Sequence, residues 1–208
     1  MIAVVDYGGG NLGSLVSALE RRRAEFLVTD DPGAVAEADA AILPGDGAFG
    51  ATMKALAERG LDEAVRASVA AGRPFLGICV GMQILYDASD EFGTHAGLGL
   101  LPGTVTRFQG APRVPHMGWN RLEILADHPF VRGLPADAYA YFLHSYRAGV
   151  GPETVAATTH GERFAAIVAR GNLMATQFHP EKSQATGAVL LDNFITLARR
   201  ATAAGAPP

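Results

Sequence analysis

Residues 74–86 read PFLGICVGMQILY, an apolar run that contains the single cysteine of the chain, Cys79, with a glycine two residues to either side. The part before Cys79 is typical of a buried β-strand, and residues 81–88 after it are interpreted as an apolar helix. Gly77 and Gly81 would let neighbouring backbone approach closely at such a turn. Hydrolases carry a nucleophilic serine in this strand–turn–helix setting. The sequence therefore predicts a nucleophilic thiol at a sharp turn of an α/β fold, with the Val80 N–H next to it as a donor to an oxyanion.

The segments on either side of this turn define the fold class. Strands with near-continuous apolar character alternate with helical patterns in the first half of the chain, which is typical of a parallel sheet with helices on both faces. After residue 97 the strand-like segments follow one another closely, which indicates antiparallel hairpins added to one edge of the sheet. We predict a three-layer, flavodoxin-like α/β fold with a mostly parallel central sheet. It forms a single domain over residues 1–200, with a last helix at 186–200 and a frayed tail at 201–208.

Composition excludes several classes of function. The chain has 208 residues, 49% of them hydrophobic, with 17 basic and 21 acidic side chains and a net charge of −4. This hydrophobic content suffices for a full core and excludes disorder, and the lack of a basic excess argues against nucleic acid as a ligand. One cysteine excludes an intramolecular disulfide and a zinc site built on several thiolates, so no metal is expected. Neither a signal peptide nor a membrane span is indicated, and we expect a cytoplasmic protein.

A nucleophilic thiol requires a base, and only one of the six histidines comes with a carboxylate ready to orient it. The segment QFHPEK, residues 177–182, contains His179 and Glu181 on either side of a proline. Pro180 favours an extended His179, and residues two apart in an extended segment face the same side. The segment follows an apolar strand, so it lies where open α/β sheets bind their ligands. Cys79, His179 and Glu181 are therefore predicted to form a nucleophile, a base and an orienting acid.

Two further glycine-rich turns offer alternatives. DYGGGNLGS at residues 6–14 matches the dinucleotide pattern G-x-G-x-x-G, and Asp30 and Asp31 follow at a distance suited to ribose recognition. A dinucleotide site, however, leaves the cysteine and the histidine–glutamate pair unexplained. The turn LPGDGAFG at residues 43–50 follows another buried strand, and one of its backbone N–H groups could supply a second oxyanion donor. A binding module without catalysis, in which Cys79 is only a buried apolar side chain, is the third possibility.

Several motifs together identify a family. GICVGMQ with a distant HPEK resembles the class I, or triad-type, glutamine amidotransferases, whose glutaminase domains hydrolyse glutamine through a cysteine. DYGGGN, LPGDGAFG, PHMGWN at 115–120 and LHSYR at 143–147 look like the glutaminase subunits of imidazole glycerol phosphate synthases. The resemblance extends from residue 2 to the last helix. It implies hydrolysis of glutamine to glutamate and ammonia without a cofactor. The implied partner is a cyclase subunit with a (β/α)8 barrel, which consumes the ammonia in histidine biosynthesis.

The resemblance also implies roles for individual residues, each at the position that matches a family motif. The catalytic residues are Cys79, His179 and Glu181. The oxyanion donors are Val80 N–H and the backbone of Gly45, Asp46 and Gly47, and glutamine is held by Gln83 and by the backbone of Ser145 and Tyr146. Asn11, Trp119 and Lys182 face the partner.

Two positions depart from the family pattern. Asp46 stands where an apolar residue is common, and its side chain is expected to point away from the forming oxyanion. Gly13 stands where a basic residue is common, which casts doubt on an ion pair with the partner. Trp119 is equally compatible with a place in the core, and Lys182 with a solvated surface position.

Overall fold

The computed structural model describes residues 1–205. The elements in chain order are β1 (Ile2–Val5), α1 (Leu12–Arg21), β2 (Phe26–Thr29), α2 (Pro32–Glu37), β3 (Ala40–Leu43), α3 (Phe49–Ala57), α4 (Leu61–Ala70), β4 (Phe75–Ile78), α5 (Val80–Gln83), β5 (Tyr86–Ser89), β6 (His95–Ala96), β7 (Leu101–Arg107), β8 (His116–Arg121), β9 (Glu123–Ile124), β10 (Tyr139–His144), β11 (Tyr146–Arg147), β12 (Thr154–His160), β13 (Glu162–Arg170), β14 (Leu173–Thr176) and α6 (Gln184–Gly205). Single 3-10 turns lie at Pro129–Val131 and Pro180–Lys182.

The central sheet has eight strands in the order β2-β1-β3-β4-β14-β13-β12-β9. The first five of these strands are mutually parallel, and the last three are added in antiparallel fashion beyond β14. Strands β1, β3, β4 and β14 are buried at every position, as expected for strands covered on both faces. The predicted mostly parallel sheet is confirmed.

Helices cover both faces of this sheet and produce two separate apolar clusters. Leu15 and Leu19 of α1 pack with Phe194 of α6 against one face. Leu56 of α3 and Val65 of α4 pack against the other face. The alternating side chains of the strands supply both clusters, which is the three-layer arrangement predicted from the sequence.

The structure corrects several sequence-based boundaries. The helix predicted at 81–88 ends at Gln83, and after a two-residue turn the chain enters β5 in a second sheet of order β11-β7-β5-β6. A third, two-stranded sheet pairs β8 with β10, so only some of the predicted hairpins extend the edge of the central sheet. Helix α2, with Asp31 as its N-cap and Pro32 in its first turn, was not predicted. The last helix continues to Gly205, so the tail predicted at 201–208 is helical as far as the structure describes it, and 206–208 lie outside the described residues.

Glycines allow the loop after β3 to lie directly against the turn that carries Cys79. A Cβ atom on Gly45 would lie 2.2 Å from the carbonyl oxygen of Ile78, and one on Gly81 would lie 2.4 Å from that of Leu43. Gly77 is equally restricted, since its Cβ would lie 2.5 Å from the Gly81 oxygen. These contacts involve backbone atoms, which cannot rotate away as a side chain would. The close approach of the two loops therefore depends on the absence of side chains at Gly45 and Gly81, and the tight turn at Cys79 on the absence of one at Gly77.

We expect Gly81→Ala to lower the free energy of unfolding by about 1–3 kcal/mol, because the added methyl group forces the two loops apart. Gly13→Ala is the matched control, since a Cβ there meets nothing within 4 Å. Because Gly13 lies inside α1, its replacement should raise the free energy by about 0.5–1 kcal/mol. Urea denaturation of both variants measures the difference, and equal stability of the two would contradict the close approach.

Candidate active site

Cys79 occupies the turn between β4 and α5 in a strained backbone conformation. Its φ angle is 55° and its ψ angle −112°, a region that non-glycine residues rarely adopt. Backbone hydrogen bonds hold this conformation on both sides. The Cys79 N–H donates to the Thr176 carbonyl oxygen at 2.8 Å, and the Cys79 carbonyl accepts from Met82 and Gln83 of α5. Cys79 as a whole is 8% exposed, so the residue is buried close to the surface of the protein.

The parallel pairing of β4 with β14 brings the second half of the site to Cys79. Ile78 pairs with Thr176, so the two strands end at the same level of the sheet. His179 follows β14 three residues later, and Glu181 lies in the 3-10 turn at Pro180–Lys182. The two segments that sequence analysis singled out, about a hundred residues apart, therefore meet at the carboxyl edge of the parallel strands.

His179 is held by Glu181 and lies beside Cys79. Its Nδ1 lies 2.7 Å from Oε1 of Glu181, and both side chains are at most 5% exposed. Cys79 is near enough to raise the pKa of the same ring, and because Glu181 occupies Nδ1, Nε2 is the nitrogen left for the thiol. The structure thus brings together the three residues predicted to act as nucleophile, base and orienting acid.

The pKa of His179 is governed by two opposing effects. Burial lowers the pKa, but the hydrogen bonds and negative charges of Cys79 and Glu181 outweigh it and raise the pKa to about 10. The second oxygen of Glu181 is buried without a hydrogen-bond partner among the described residues. The charge of this carboxylate is therefore balanced chiefly by the imidazole, which favours the imidazolium form at neutral pH. An imidazolium next to a thiol favours the thiolate, the nucleophilic form of cysteine.

The backbone around the thiol offers donors for an anion. A Cβ on Gly45 would lie 2.7 Å from the Val80 nitrogen, so the loop after β3 lies against this nitrogen. Asp46 and Gly47 follow in the same loop, both are exposed, and Gly47 has a φ angle of 106°. Of the four positions predicted for the oxyanion hole, Gly45 thus lies against Val80 beside Cys79, and Asp46 and Gly47 continue the same loop.

Two residues outside the predicted site hold this loop at its ends. The Tyr7 hydroxyl lies 3.4 Å from the Asp46 nitrogen and 3.5 Å from its carbonyl oxygen, and burial raises the pKa of this tyrosine. At the far end, the Phe49 N–H donates to Oε2 of Glu91 at 2.6 Å.

Tyr7 belongs to the glycine-rich turn considered for a dinucleotide. In the structure the Asp31 carboxylate accepts from Gly33 N–H as a helix cap.

The residues predicted to hold glutamine form a hydrogen-bonded group. Nε2 of Gln83 donates to the Tyr146 carbonyl at 2.9 Å and lies 3.1 Å from Oε1 of Gln177. Nε2 of Gln177 in turn lies 4.0 Å from the Cys79 sulfur. The Ser145 carbonyl accepts from the Phe108 N–H. Sequence reasoning missed Gln177, although it belongs to the same segment QFHPEK as His179 and Glu181.

Ser183, also missed, ties the base to a neighbouring strand. Its hydroxyl donates to the His179 carbonyl at 2.7 Å and accepts from the Tyr141 N–H at 3.0 Å. The His179 N–H donates to the Tyr141 carbonyl at 3.4 Å. Strand β10, which contains Tyr141, is thereby fixed to the backbone of the base.

The three residues predicted to face a partner lie on neighbouring elements. Trp119 is 46% exposed on β8, which excludes the core position that the sequence left open. Lys182 is exposed in the turn that follows His179, and Asn11 is half-buried at the start of α1. This turn contacts both α1 and β10, the strand paired with β8.

Residues 1–205 contain neither a metal-binding cluster nor a membrane-spanning helix. No group of three or more His, Cys, Asp or Glu side chains there is arranged to hold a metal ion. No helix in that part of the chain is long and apolar enough to cross a membrane.

Comparison with known proteins identifies the family. The sequence model described as Glutamine amidotransferase class-I matches residues 3–197. The chain therefore belongs to the class I glutamine amidotransferases.

Among curated relatives, the chain is 51% identical over 195 residues to the imidazole glycerol phosphate synthase subunit HisH of Symbiobacterium thermophilum, covering 93% of this chain and 92% of the relative. It is 48% identical to the HisH subunit of Synechococcus sp. (strain JA-3-3Ab), covering 99% and 98%.

Solved structures share the fold. A structure described as a glutamine amidotransferase superposes with a TM-score of 0.74 at 23% identity, covering 95% of this chain and 98% of that one. The glutaminase domain of the Trypanosoma brucei CTPS, solved with bound acivicin, superposes with a TM-score of 0.67 at 16% identity, covering 96% and 93%. These similarities confirm the fold class expected from the sequence.

We expect Glu181→Gln to lower the pKa of His179 toward its ordinary value near 6.5, because the substitution removes one of the two negative groups that raise it. Glu58→Gln is the control. It removes the same charge from the exposed end of α3, where water and salt screen it. NMR titration of the His179 ring measures the pKa in both variants. An unchanged pKa in Glu181→Gln would show that the carboxylate does not act on the base.

Proposed function

We propose that this chain is the glutaminase subunit of an imidazole glycerol phosphate synthase, which hydrolyses glutamine to glutamate and ammonia. The observation that carries the proposal is that Cys79 meets the hydrogen-bonded pair of His179 and Glu181 at the carboxyl edge of the parallel strands. Membership of the class I family supports the chemistry, and the names of the HisH relatives support the particular synthase.

In the proposed reaction, the Cys79 thiolate attacks the side-chain amide carbon of glutamine. The carbonyl oxygen becomes an oxyanion, which the N–H groups of Val80 and of the loop over Gly45, Asp46 and Gly47 stabilise. His179 gives its proton to the departing nitrogen, so ammonia leaves and a γ-glutamyl thioester remains. Water, deprotonated by the same imidazole, then attacks the thioester, and glutamate leaves as the thiol is restored. Glu181 orients the ring and stabilises the imidazolium.

The group around Gln83 is proposed to position the substrate. Gln83 and the backbone of Ser145 and Tyr146 lie on the side of Cys79 reached by the Gln177 amide. The side chain of Gln83 is itself oriented by its bonds to Tyr146 and Gln177, so it is fixed before glutamine arrives. A site arranged in advance loses less conformational entropy on binding.

The ammonia is proposed to pass to a cyclase partner with a (β/α)8 barrel. The names of the relatives describe a subunit of a synthase, which implies a second chain. Free ammonia becomes protonated in bulk water at neutral pH and is then no longer a nucleophile, so a protected path is physically required. The face formed by β8 and β10 suits a partner, because it exposes Met117, Trp119 and Tyr139. A reduced cysteine nucleophile is consistent with the cytoplasm, which we propose as the location.

We expect a glutamine analogue with an electrophilic carbon to modify Cys79 when the cyclase partner and its substrate are present. Because Cys79 is the single cysteine, peptide mass spectrometry identifies the adduct without ambiguity. Cys79→Ser, which differs by one atom, should carry no adduct and release no ammonia from glutamine. Ammonia release that persists in Cys79→Ala would refute the proposed reaction, since the thiol would then be only a packing side chain.

We expect Trp119→Ala to weaken association with the cyclase partner by about tenfold or more, since large aromatic residues at the centre of an interface contribute most of its affinity. Leu27→Ala is the control, because Leu27 is 42% exposed on β2 at the opposite edge of the central sheet. Calorimetric titration measures both dissociation constants. Equal affinities would exclude the β8–β10 face as the docking surface.

A further inference from the structure

Two buried histidines lie close to the site but have no part in the proposed reaction. His116 of β8 and His144 of β10 are 3% and 7% exposed, and they lie among the rings of Phe108, Phe142 and Phe164. Nδ1 of His116 lies 3.2 Å from Nε2 of His144. Burial of these two imidazoles in an apolar cluster costs free energy unless the two nitrogen atoms of each ring are hydrogen bonded.

The inner end of this pair fixes the tautomer of His144. Nδ1 of His144 lies 2.8 Å from the Tyr146 carbonyl oxygen. A carbonyl oxygen only accepts, so Nδ1 carries the hydrogen. In a neutral ring Nε2 is then an acceptor. His116 must therefore donate from its own Nδ1, which leaves Nε2 of His116 as an acceptor.

Asn120, at the outer end of the histidine pair, independently indicates the same donor-to-acceptor direction. The Asn120 amide is oriented by two backbone groups: its oxygen accepts from the Arg121 N–H at 2.9 Å, and its nitrogen donates to the Thr159 carbonyl at 2.9 Å. That nitrogen also lies 3.3 Å from Nε2 of His116. Asn120 can only donate there, which agrees with the acceptor deduced from the inner end. The hydrogen bonds at the inner and the outer end can all form only if both imidazole rings are neutral.

The series of hydrogen bonds continues from the Tyr146 carbonyl oxygen to Cys79. This oxygen accepts from His144 on one side and from the Gln83 amide on the other. Gln83 also donates to the oxygen of Gln177, which leaves the Gln177 amide nitrogen to face the Cys79 sulfur at 4.0 Å. Every group along the way, from Asn120 to Cys79, has a determined orientation.

We propose that His116 and His144 are positioning residues: as neutral Nδ1–H tautomers they fix the Tyr146 carbonyl, and through Gln83 and Gln177 they hold an amide donor toward the Cys79 sulfur. An N–H donor aimed at sulfur stabilises negative charge there. The catalytic consequence of this inference rests on the proposed function, whereas the tautomers and the effect on the thiol do not.

The protonation of both rings agrees with this role. Burial lowers the pKa of His144 to about 3, because the charged form cannot be solvated in the apolar cluster. Burial, together with the nearby His160, lowers the pKa of His116 to about 4. Both rings are neutral at physiological pH, as the donor-to-acceptor direction of these hydrogen bonds requires.

The first test is nitrogen NMR of the unmodified full-length protein with 15N-labelled histidine at pH 7.5. We expect both His116 and His144 to give the spectrum of a neutral ring with hydrogen on Nδ1, the less common tautomer of free histidine. Either ring in the Nε2–H form or the charged form would overturn the proposal. This measurement requires neither glutamine nor a partner.

The second test measures the alkylation rate of Cys79 by chloroacetamide at pH 7.5. His144→Phe removes the donor to Tyr146 while keeping an aromatic ring in the cluster, and we expect alkylation to slow by about tenfold. His144→Asn places an amide N–H near the position of Nδ1 and should restore most of the rate. His160→Phe is the matched control. His160 stacks on His116 with ring centroids 4.1 Å apart but bonds outward to the Arg113 carbonyl, so its replacement should leave the rate unchanged.

A folded His144→Phe variant that is alkylated at the unmodified rate would overturn the proposal. Circular dichroism and denaturation establish that each variant is folded. Should His144→Phe not fold, Asn120→Leu interrupts the chain at its half-buried outer end, and the same slower alkylation is expected. In the complex, His144→Phe should lower kcat for glutamine, with recovery in His144→Asn. If the unmodified complex releases no ammonia, the proposed function fails while the NMR and alkylation results still decide this inference.

Discussion

The site depends on one pairing, the parallel register of β4 with β14. Ile78 lies opposite Thr176, and the Cys79 N–H continues the ladder by donating to the Thr176 carbonyl. Both strands are buried throughout, so a shift of register would move every side chain of the strand away from the neighbours it packs against. Because the strands end together, the thiol on one and the imidazole that follows the other are delivered to the same point. The strained turn, the oxyanion loop and the amide chain are all arranged around that point.

Strain at Cys79 is tolerated because the surroundings leave the backbone no alternative. A non-glycine residue in such a conformation costs about 1–3 kcal/mol. Hydrogen bonds from both its N–H and its carbonyl fix the turn, and the contact between Gly45 and the Ile78 carbonyl supports it from outside. The result is a sulfur held away from the strand and toward His179. The contacts that maintain the strained backbone of Cys79 therefore also fix the position of its side chain.

The sequence predicts the parts of this structure that obey local rules. The apolar strands, the turn at Cys79 and the pairing of His179 with Glu181 follow from strand character, glycine spacing and the proline between them. The helix after Cys79 was predicted too long because Ile84, Leu85 and Tyr86 form an apolar run, which fits a helix and a strand equally well. Gln83 and Tyr146 were expected only from the family resemblance, and Gln177 was missed, because these three residues meet only through tertiary pairing. Helix α2 was also not predicted, although Asp31 followed by Pro32 is a local helix-start signal.

The ribbon of β8 and β10 has a consequence for the life of the chain before assembly. It is a two-stranded sheet, and Met117, Trp119 and Tyr139 expose much of their apolar surface on it. Exposed apolar side chains grouped on one surface promote self-association. An orphan copy, synthesised in excess over its proposed partner, therefore presents an aggregation-prone surface. Synthesis of the two chains in equal amounts would therefore protect this protein from aggregation.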